Sequence, residues 1–153
     1  MSALPTAGRH ARGLLDTSVV IDLDRISASD LPATVAISAM TLAELTAGPH
    51  ATDDAQERAR RQARLQRVET RFTPIPLDGD VARAYGLIFS AVLKTGRKAR
   101  GPRVLDLLIA ATALAQQLPL YTRNPDDFTG LGGLVEVVGV QAADAGRTVY
   151  GEF

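Results

Sequence analysis

Several features are missing from this chain of 153 residues, and each absence narrows what the protein can do. It has no cysteine, which excludes a disulfide framework, a zinc site built on thiolates and a catalytic thiol. Basic and acidic residues number 17 each, so the net charge is zero and any surface for a polyanion must be local. No apolar run approaches the ~18 residues that a membrane span needs. We therefore expect a cytoplasmic protein with no membrane partner.

What is present favours one globular domain. Hydrophobic residues make up 46% of the chain, which is enough for a core. Residues 1–11 show no pattern and are predicted to be a flexible N-terminal tail, followed by a single domain over 12–153. The start of the chain resembles a signal peptide superficially, but Asp16 and Asp22 interrupt its apolar stretch.

Short apolar segments alternate with longer helical patterns along the chain. Strands are predicted at 13–18, 34–40, 72–77, 118–122 and 134–140. Helices are predicted at 18–25, 41–48, 53–71, 78–96 and 103–117, with a helical turn at 124–128. On the charged helix over 53–71, Leu65 and Val68 are the clearest candidates for burial. This alternation predicts an α/β fold with three layers, α/β/α, around a mostly parallel sheet of about five strands.

Acidic residues recur where these predicted strands end. Asp16 ends the first strand, Glu44 lies one turn into the helix after the second, and Asp106 is the lone acid of an almost wholly apolar helix. Functional sites of such sheets form outside the carboxyl ends of the strands. If the first, second and fourth strands are neighbours, these acids converge with the polar residues after the fourth strand, Thr122, Asn124, Asp126 and Asp127.

A cluster of this kind has a definite chemistry. Carboxylates that lie close together repel one another unless a cation joins them. Oxygen ligands without histidine or cysteine select Mg²⁺ or Mn²⁺, and such an ion can activate water and offset charge on a phosphate. The pattern favours hydrolysis of phosphodiester bonds by an activated water.

Each acid also has a purely structural interpretation. Asp16 can cap the helix that follows it, as can the serine two residues later. Thr41 and Glu44 fit the S/T-x-x-E capping box. Asp106 can pair with Arg103, or lie favourably at the positive end of its helix. After the fourth strand, a cap residue, a proline and two acids form a typical helix start. Taken singly, these signals decide nothing.

Three longer motifs resemble the PIN domain family, specifically the VapC-type toxins of type II toxin–antitoxin pairs. They are LLDTSVVIDL at 14–23, ISAMTLAELTAG at 37–48 and DLLIAATALAQQLPLYTRNPDDF at 106–128. The resemblance covers residues 13–140, and the last motif is the most specific. It implies an endoribonuclease that depends on Mg²⁺ or Mn²⁺, a homodimer, and inhibition by a small cognate antitoxin.

The resemblance also implies roles for individual residues. Asp16, Glu44 and Asp106 would form the catalytic metal site, directly or through water. Some relatives have an acid where this chain has Asn124, while others have it three residues later, so Asp127 is assigned as the fourth acid and Asn124 as a neutral helper. Hydroxyl groups would hydrogen-bond the ligands or the substrate from two further positions, Ser18 and Thr122.

The RNA-binding surface is predicted from charge. A basic run precedes and enters the helix of Asp106, and its members are Lys94, Arg97, Lys98, Arg100 and Arg103. It can hold RNA phosphates, or it can be a solvated loop. The arginines of helix 53–71 can bind RNA or an acidic antitoxin segment, or form a solvated helix face. Two alternative functions stay open: a housekeeping PIN nuclease acting on RNA or DNA, and a non-catalytic binding module.

Overall fold

The structure, a computed structural model, describes residues 10–144 and contains one parallel sheet. Its strands are β1 (Arg12–Leu15), β2 (Thr34–Ala36), β3 (Leu120–Thr122) and β4 (Val137–Gly139). Their order is β2-β1-β3-β4, and all three pairs are parallel. In this register Leu14 stands opposite both Ala36 and Leu120, so the carboxyl ends of β1, β2 and β3 meet at one edge.

Helices connect the strands. They are α1 (Thr17–Ile21), α2 (Ala39–Ala47), α3 (Ala55–Arg71), α4 (Gly79–Lys94) and α5 (Arg103–Gln116), with a 3-10 turn at Pro125–Phe128. Acidic caps begin three of the helices: the carboxylates of Asp16, Asp54 and Asp78 accept from the amides of Thr17, Gln56 and Val81, respectively.

The predicted three layers are confirmed by the two apolar clusters that flank the sheet. Leu14 and Leu120 belong to a cluster built on α4 and α5, while their neighbours Leu15 and Tyr121 belong to a second cluster with α1 and α3. This is the period of two expected of strands buried on both faces. Leu65 and Val68 are buried in the second cluster, as the sequence predicts; both lie on α3.

The prediction of a strand at 72–77 is wrong in length, and the sheet of residues 10–144 has four strands rather than five. Only Ile75 joins the sheet, through a single parallel bridge to Ser38. Its amide donates to Ile37 O at 2.9 Å, and Ala39 donates to Ile75 O at 2.9 Å. Pro74 and Pro76 flank this residue, and because proline has no amide hydrogen the ladder cannot extend in either direction.

The predicted N-terminal tail lies mostly outside the described residues. Of its members, His10 and Ala11 accept backbone hydrogen bonds from Ala33 and Thr34, so the chain already runs along β2 before β1 begins. Within residues 10–144, no helix combines the length and hydropathy needed to span a membrane.

Candidate active site

Four acidic side chains lie at the carboxyl edge of the sheet, each supplied by a different element. Asp16 directly follows β1, Glu44 is on α2, Asp106 is in the first turn of α5, and Asp127 is in the 3-10 turn after β3. The negative charges of Asp16, Glu44 and Asp127 all act on Asp106 and raise its pKa. Since such coupling falls with distance, the structure brings together the four acids that the sequence singled out.

Asp16 is held by three donors. Its Oδ1 accepts from the Thr17 amide at 2.9 Å, which is the helix cap that its position predicts. Its Oδ2 accepts from Ser18 Oγ at 2.9 Å and from Thr122 Oγ1 at 2.8 Å. Asp16 is only 5% exposed, so these bonds compensate the burial of its charge. Capping and a place in the acidic cluster are therefore compatible for this residue.

Two further hydrogen bonds connect this arrangement to the exit of β3. The Arg123 amide donates to Ser18 Oγ at 3.1 Å, and the Asn124 amide donates to Thr122 Oγ1 at 3.0 Å. Both hydroxyls are thereby oriented with their hydrogens toward Asp16. The side chain of Asn124 makes no capping bond to the turn that follows it.

Glu44 is oriented by a residue that the sequence analysis missed. Thr17 Oγ1 donates to Glu44 Oε1 at 3.1 Å and lies 3.0 Å from Thr41 Oγ1, which is fully buried. Burial raises the pKa of Glu44, the bond from Thr17 opposes this, and the charge of Asp16 raises it further. The sequence signals for this role were two threonines, one directly after Asp16 and one three residues before Glu44.

The capping-box interpretation of Thr41 and Glu44 is wrong. Helix α2 begins at Ala39, and Ser38 is its cap, accepting from the Thr41 amide at 3.2 Å. Thr41 is thus inside the helix, and its amide is already satisfied. The Glu44 carboxylate is free to face Thr17 and Asp16.

Asp106 carries the strongest electrostatic signature of the cluster. Its pKa is raised to about 6, first by burial and then by the charges of Asp16, Glu44 and Asp127, against an opposing effect of Arg103. Asp106 forms no salt bridge with Arg103, whose guanidinium instead donates to Asp127 O at 3.3 Å. The structural interpretation of Asp106 as the ion-pair partner of Arg103 is therefore wrong.

The fourth acidic position is distinguished by coupling. Asp127 is among the charges that raise the pKa of Asp106, whereas Asp126 is not. The turn that carries both is held from outside: Arg97 Nη1 donates to Asp126 O at 2.7 Å, beside the bond from Arg103 to Asp127 O. The choice of Asp127 as the fourth acid stays a prediction, and this coupling to Asp106 supports it.

The members of the predicted basic run fall into two groups, those that bond the acidic turn and those that do not. Arg97 and Arg103 already donate to the backbone of the acidic turn. The side chains of the other three, Lys94, Lys98 and Arg100, are exposed and form no hydrogen bond or salt bridge with any residue of the range 10–144. Those three are the members that remain available to a solvent-borne anion.

An ion-pair network includes Arg123, whose amide donates to Ser18. The carboxylate of Asp22 is paired with Arg123 and, at 2.6 Å, with Arg25. Burial acts to raise the pKa of Asp22, but the hydrogen bonds and charges of the two arginines outweigh it and lower the pKa. The network fixes Arg123, which directly follows Thr122, the last residue of β3 and a donor to Asp16.

Residues 13–133 match the family model of the PIN domain. The match includes the four acidic residues at the carboxyl edge of the sheet. The chain belongs to the PIN domain family, as its motifs predict. Ribonuclease VapC5 of Mycobacterium tuberculosis is 36% identical over 140 residues, which are 90% of this chain and 96% of that protein. Ribonuclease VapC1 of Rickettsia felis is 31% identical over 135 residues, covering 86% of this chain and 98% of that protein.

Solved structures agree with these relatives. The crystal structure of VapBC-5 from Mycobacterium tuberculosis, a member of the VapBC family of toxin–antitoxin systems, matches with a TM-score of 0.75 and 37% identity, over 85% of this chain and 99% of that chain. FitAcB from Neisseria gonorrhoeae matches with a TM-score of 0.61 and 27% identity, over 82% and 96%. The predicted resemblance to the VapC branch of the family is confirmed.

Proposed function

We propose that this PIN-domain enzyme is the endoribonuclease toxin of a toxin–antitoxin pair and that it hydrolyses RNA at the acidic cluster. The chain is an endoribonuclease of the VapC kind, since it spans nearly the whole length of ribonucleases to which it is more than 30% identical. The observation that carries the reaction is the coupling of Asp106 to three other carboxylates at one edge of the sheet. Four acids this close are unfavourable for folding alone and suit a site that receives positive charge.

Mg²⁺ is the cation that we propose for the site, with Mn²⁺ as a substitute. The donor set consists of carboxylates, which suit both ions. Within the described residues, no three Asp, Glu or His side chains are near enough to one point to hold an ion together. This is compatible with Mg²⁺, which usually keeps several waters and takes one or two carboxylates directly. Asp16 and Asp106 would hold it, with Glu44 and Asp127 acting through water.

When bound, the ion would lower the pKa of a water and offset the negative charge that builds up on the phosphate. The protein's own part is orientation. Three donors fix the Asp16 carboxylate, and Thr17 fixes Oε1 of Glu44, which leaves Oε2 of Glu44 without a hydrogen bond from the described residues. Oε2 can therefore accept a proton from the attacking water.

The products follow from the nucleophile. A water attacks the phosphorus and the 3′ oxygen leaves, so the fragments should carry 5′-phosphate and 3′-hydroxyl ends. Attack by the neighbouring 2′-hydroxyl would instead leave a 2′,3′-cyclic phosphate, which end-group analysis distinguishes.

A small antitoxin is the partner that we propose. The related VapBC-5 structure comes from a toxin–antitoxin system, and this chain matches 99% of the chain solved there. A homodimer is proposed as well, because α4 leaves apolar side chains in solvent: Phe89 is 38% exposed and Leu93, one turn later, is 54% exposed. The RNA substrate implies action in the cytoplasm.

Cleavage assays test this function directly. The purified chain should cut single-stranded or looped RNA internally when Mg²⁺ or Mn²⁺ is added, and EDTA should stop the reaction. Cleavage that persists in EDTA, or products that end in a cyclic phosphate, would overturn the metal-and-water mechanism. An absence of cleavage on any RNA, with an intact fold, would favour the non-catalytic binding module, and a preference for DNA would favour the housekeeping nuclease.

A further inference from the structure

A cleft of about 270 Å³ borders the acidic cluster on its α3 side. One wall carries Thr17 and Glu44, and the other carries Glu57, Arg61 and Arg64 of α3. Thr17 and Glu44 are joined by a hydrogen bond and belong to the candidate active site. The cleft is therefore continuous with that site, and its other wall is part of the arginine-rich helix.

The two arginines of this wall differ in the hydrogen bonds of their side chains. Arg61 is satisfied: its Nε donates to Glu57 Oε1 at 3.0 Å, and its Nη1 donates to Gly48 O at 2.9 Å. Arg64 is also partly buried, yet its guanidinium makes no hydrogen bond or salt bridge with any residue from 10 to 144. A partly desolvated guanidinium without an anion has donors to spare, and an anionic ligand is its natural complement.

Arg64 also lines a second cleft, of about 280 Å³, which shares Ile21 and Arg64 with the first and is lined by none of the four clustered acids. Its lining includes the apolar residues Val20, Leu23 and Phe72, and its charged residues are three arginines and one acid: Arg64, Arg67, Arg71 and Asp24. Arg64 thus lies where the two clefts meet. The carboxylates of the acidic cluster would repel a phosphate there, and the guanidinium of Arg64 would attract it. A single-stranded nucleic acid suits such a path, because its phosphates need cations and its bases accept apolar surface.

We infer that Arg64 binds a phosphate of the RNA strand next to the one that is cleaved. The inference rests on the proposed ribonuclease function and adds a substrate contact to it. Arg64 is then a substrate-binding residue, whereas Arg61 keeps the wall of the cleft in place through Glu57 and Gly48. The fork of guanidinium donors matches two oxygens of one phosphate, which a lysine cannot do.

RNA binding by paired variants tests this role. Arg64→Gln and Arg12→Gln remove the same charge, and Arg12 is an exposed residue at the start of β1, at the opposite end of the sheet. Both are made in the inactive Asp106→Asn chain with Mg²⁺ present. The dissociation constant of a short fluorescent single-stranded RNA pool is then measured between about 50 and 200 mM salt.

We expect Arg64→Gln to weaken RNA binding about tenfold, the typical effect of removing one charge-assisted hydrogen bond, and to lower the salt slope by ~0.7. Arg12→Gln should leave both nearly unchanged. Arg64→Lys should keep the salt slope but reduce the affinity in part, because the charge remains and the fork does not. The proposal is overturned if Arg64→Gln binds RNA with an unchanged constant and slope in a folded chain.

Two outcomes separate this inference from the proposed function. Failure of the unsubstituted chain to cut RNA would refute the ribonuclease, whereas the Arg64 contact fails only if binding is insensitive to Arg64→Gln. Retained RNA affinity together with abolished binding of a poly-glutamate peptide would assign the cleft to an acidic protein segment and overturn the RNA contact.

Discussion

Thr122 Oγ1 donates a 2.8 Å hydrogen bond to Asp16 Oδ2, although the two residues are 106 positions apart. Both lie directly at the ends of neighbouring parallel strands, β1 and β3, so the pairing of those strands creates the bond. Thr122 is fully buried, and its hydroxyl also accepts the Asn124 amide. One hydroxyl thus connects the first motif of the chain to its acidic turn.

Thr122→Val should damage both stability and activity. The change keeps the shape but leaves the buried Asp16 carboxylate and the Asn124 amide each with one partner fewer. We expect a decrease of about 1–3 kcal/mol in the free energy of unfolding and a strong fall in RNA cleavage, measured by urea unfolding beside a cleavage assay. Thr46→Val is the control, since Thr46 is exposed and bonds only the carbonyl of Leu42. Equal effects of the two variants would contradict the role given to Thr122.

Stability without metal should depend on pH through Asp106. Its pKa in the folded chain is about 6, above the ordinary 3.8, so the folded state binds this proton more tightly than the unfolded state. The contribution to stability is therefore complete below pH ~3.8 and is lost as the pH rises through ~6. In EDTA, Asp106→Asn should remove this decline and be more stable than the parent at pH 7, by about 1 kcal/mol, because half-exposure to solvent reduces the full effect.

Urea unfolding in EDTA at several pH values measures that difference. Asp53→Asn is the matched control, because Asp53 is exposed and forms no salt bridge with any described residue. If the difference in unfolding free energy between Asp106→Asn and the parent stays constant across this pH range, the folded chain does not raise the pKa of Asp106.

The basic run should separate into two functional groups. Lys98→Ala and Arg100→Ala remove charges that have no partner in residues 10–144, so RNA affinity should fall and the salt slope should decrease by ~0.7 for each phosphate that is no longer bound. Arg97→Ala removes a 2.7 Å bond to Asp126 O and should mainly loosen the acidic turn. For that variant we expect a lower kcat and a melting temperature reduced by a few degrees. Equal salt slopes for all variants and the parent would place RNA binding elsewhere.

The exposed side chains of α4 should govern association. Leu93→Glu introduces a charge at a residue that is 54% exposed, so it should leave the fold intact while dissociating the proposed homodimer. Leu77→Glu, two residues before the start of α4, makes the same change at a residue that is 46% exposed and serves as control. Light scattering after size-exclusion chromatography reports the mass. A dimer that survives Leu93→Glu would place the interface on another face.

Features that depend on local chemistry were predictable from the sequence. The helices follow from apolar spacing and acidic caps. Asp106 stood out because a lone carboxylate on an apolar helix is unfavourable unless its charge is compensated. The acidic positions could be proposed together because parallel strands end at one edge. The alternation of short apolar strands with longer helices likewise indicated a sheet covered on both faces.

Other features depend on contacts between distant segments. The role of Thr17 appears only when α1 lies against α2, so that its hydroxyl reaches Glu44. The bonds from Arg97 and Arg103 to the acidic turn span more than twenty residues of sequence, and charge alone suggested an RNA surface for both. Near Ile75 the error was of another kind: β-forming residues suggested a strand, but two prolines leave one bridge.

RNA cleavage by Asp106→Asn, measured beside its thermal unfolding in EDTA, tests the central claim most directly. The substitution keeps size and hydrogen-bonding capacity and removes one charge from the acidic cluster. If Asp106 holds the catalytic cation, cleavage in Mg²⁺ should fall by orders of magnitude, while the melting temperature stays equal or rises. A variant that melts earlier yet cuts RNA as well as the parent would show that Asp106 serves the fold alone, and the proposed active site would be wrong.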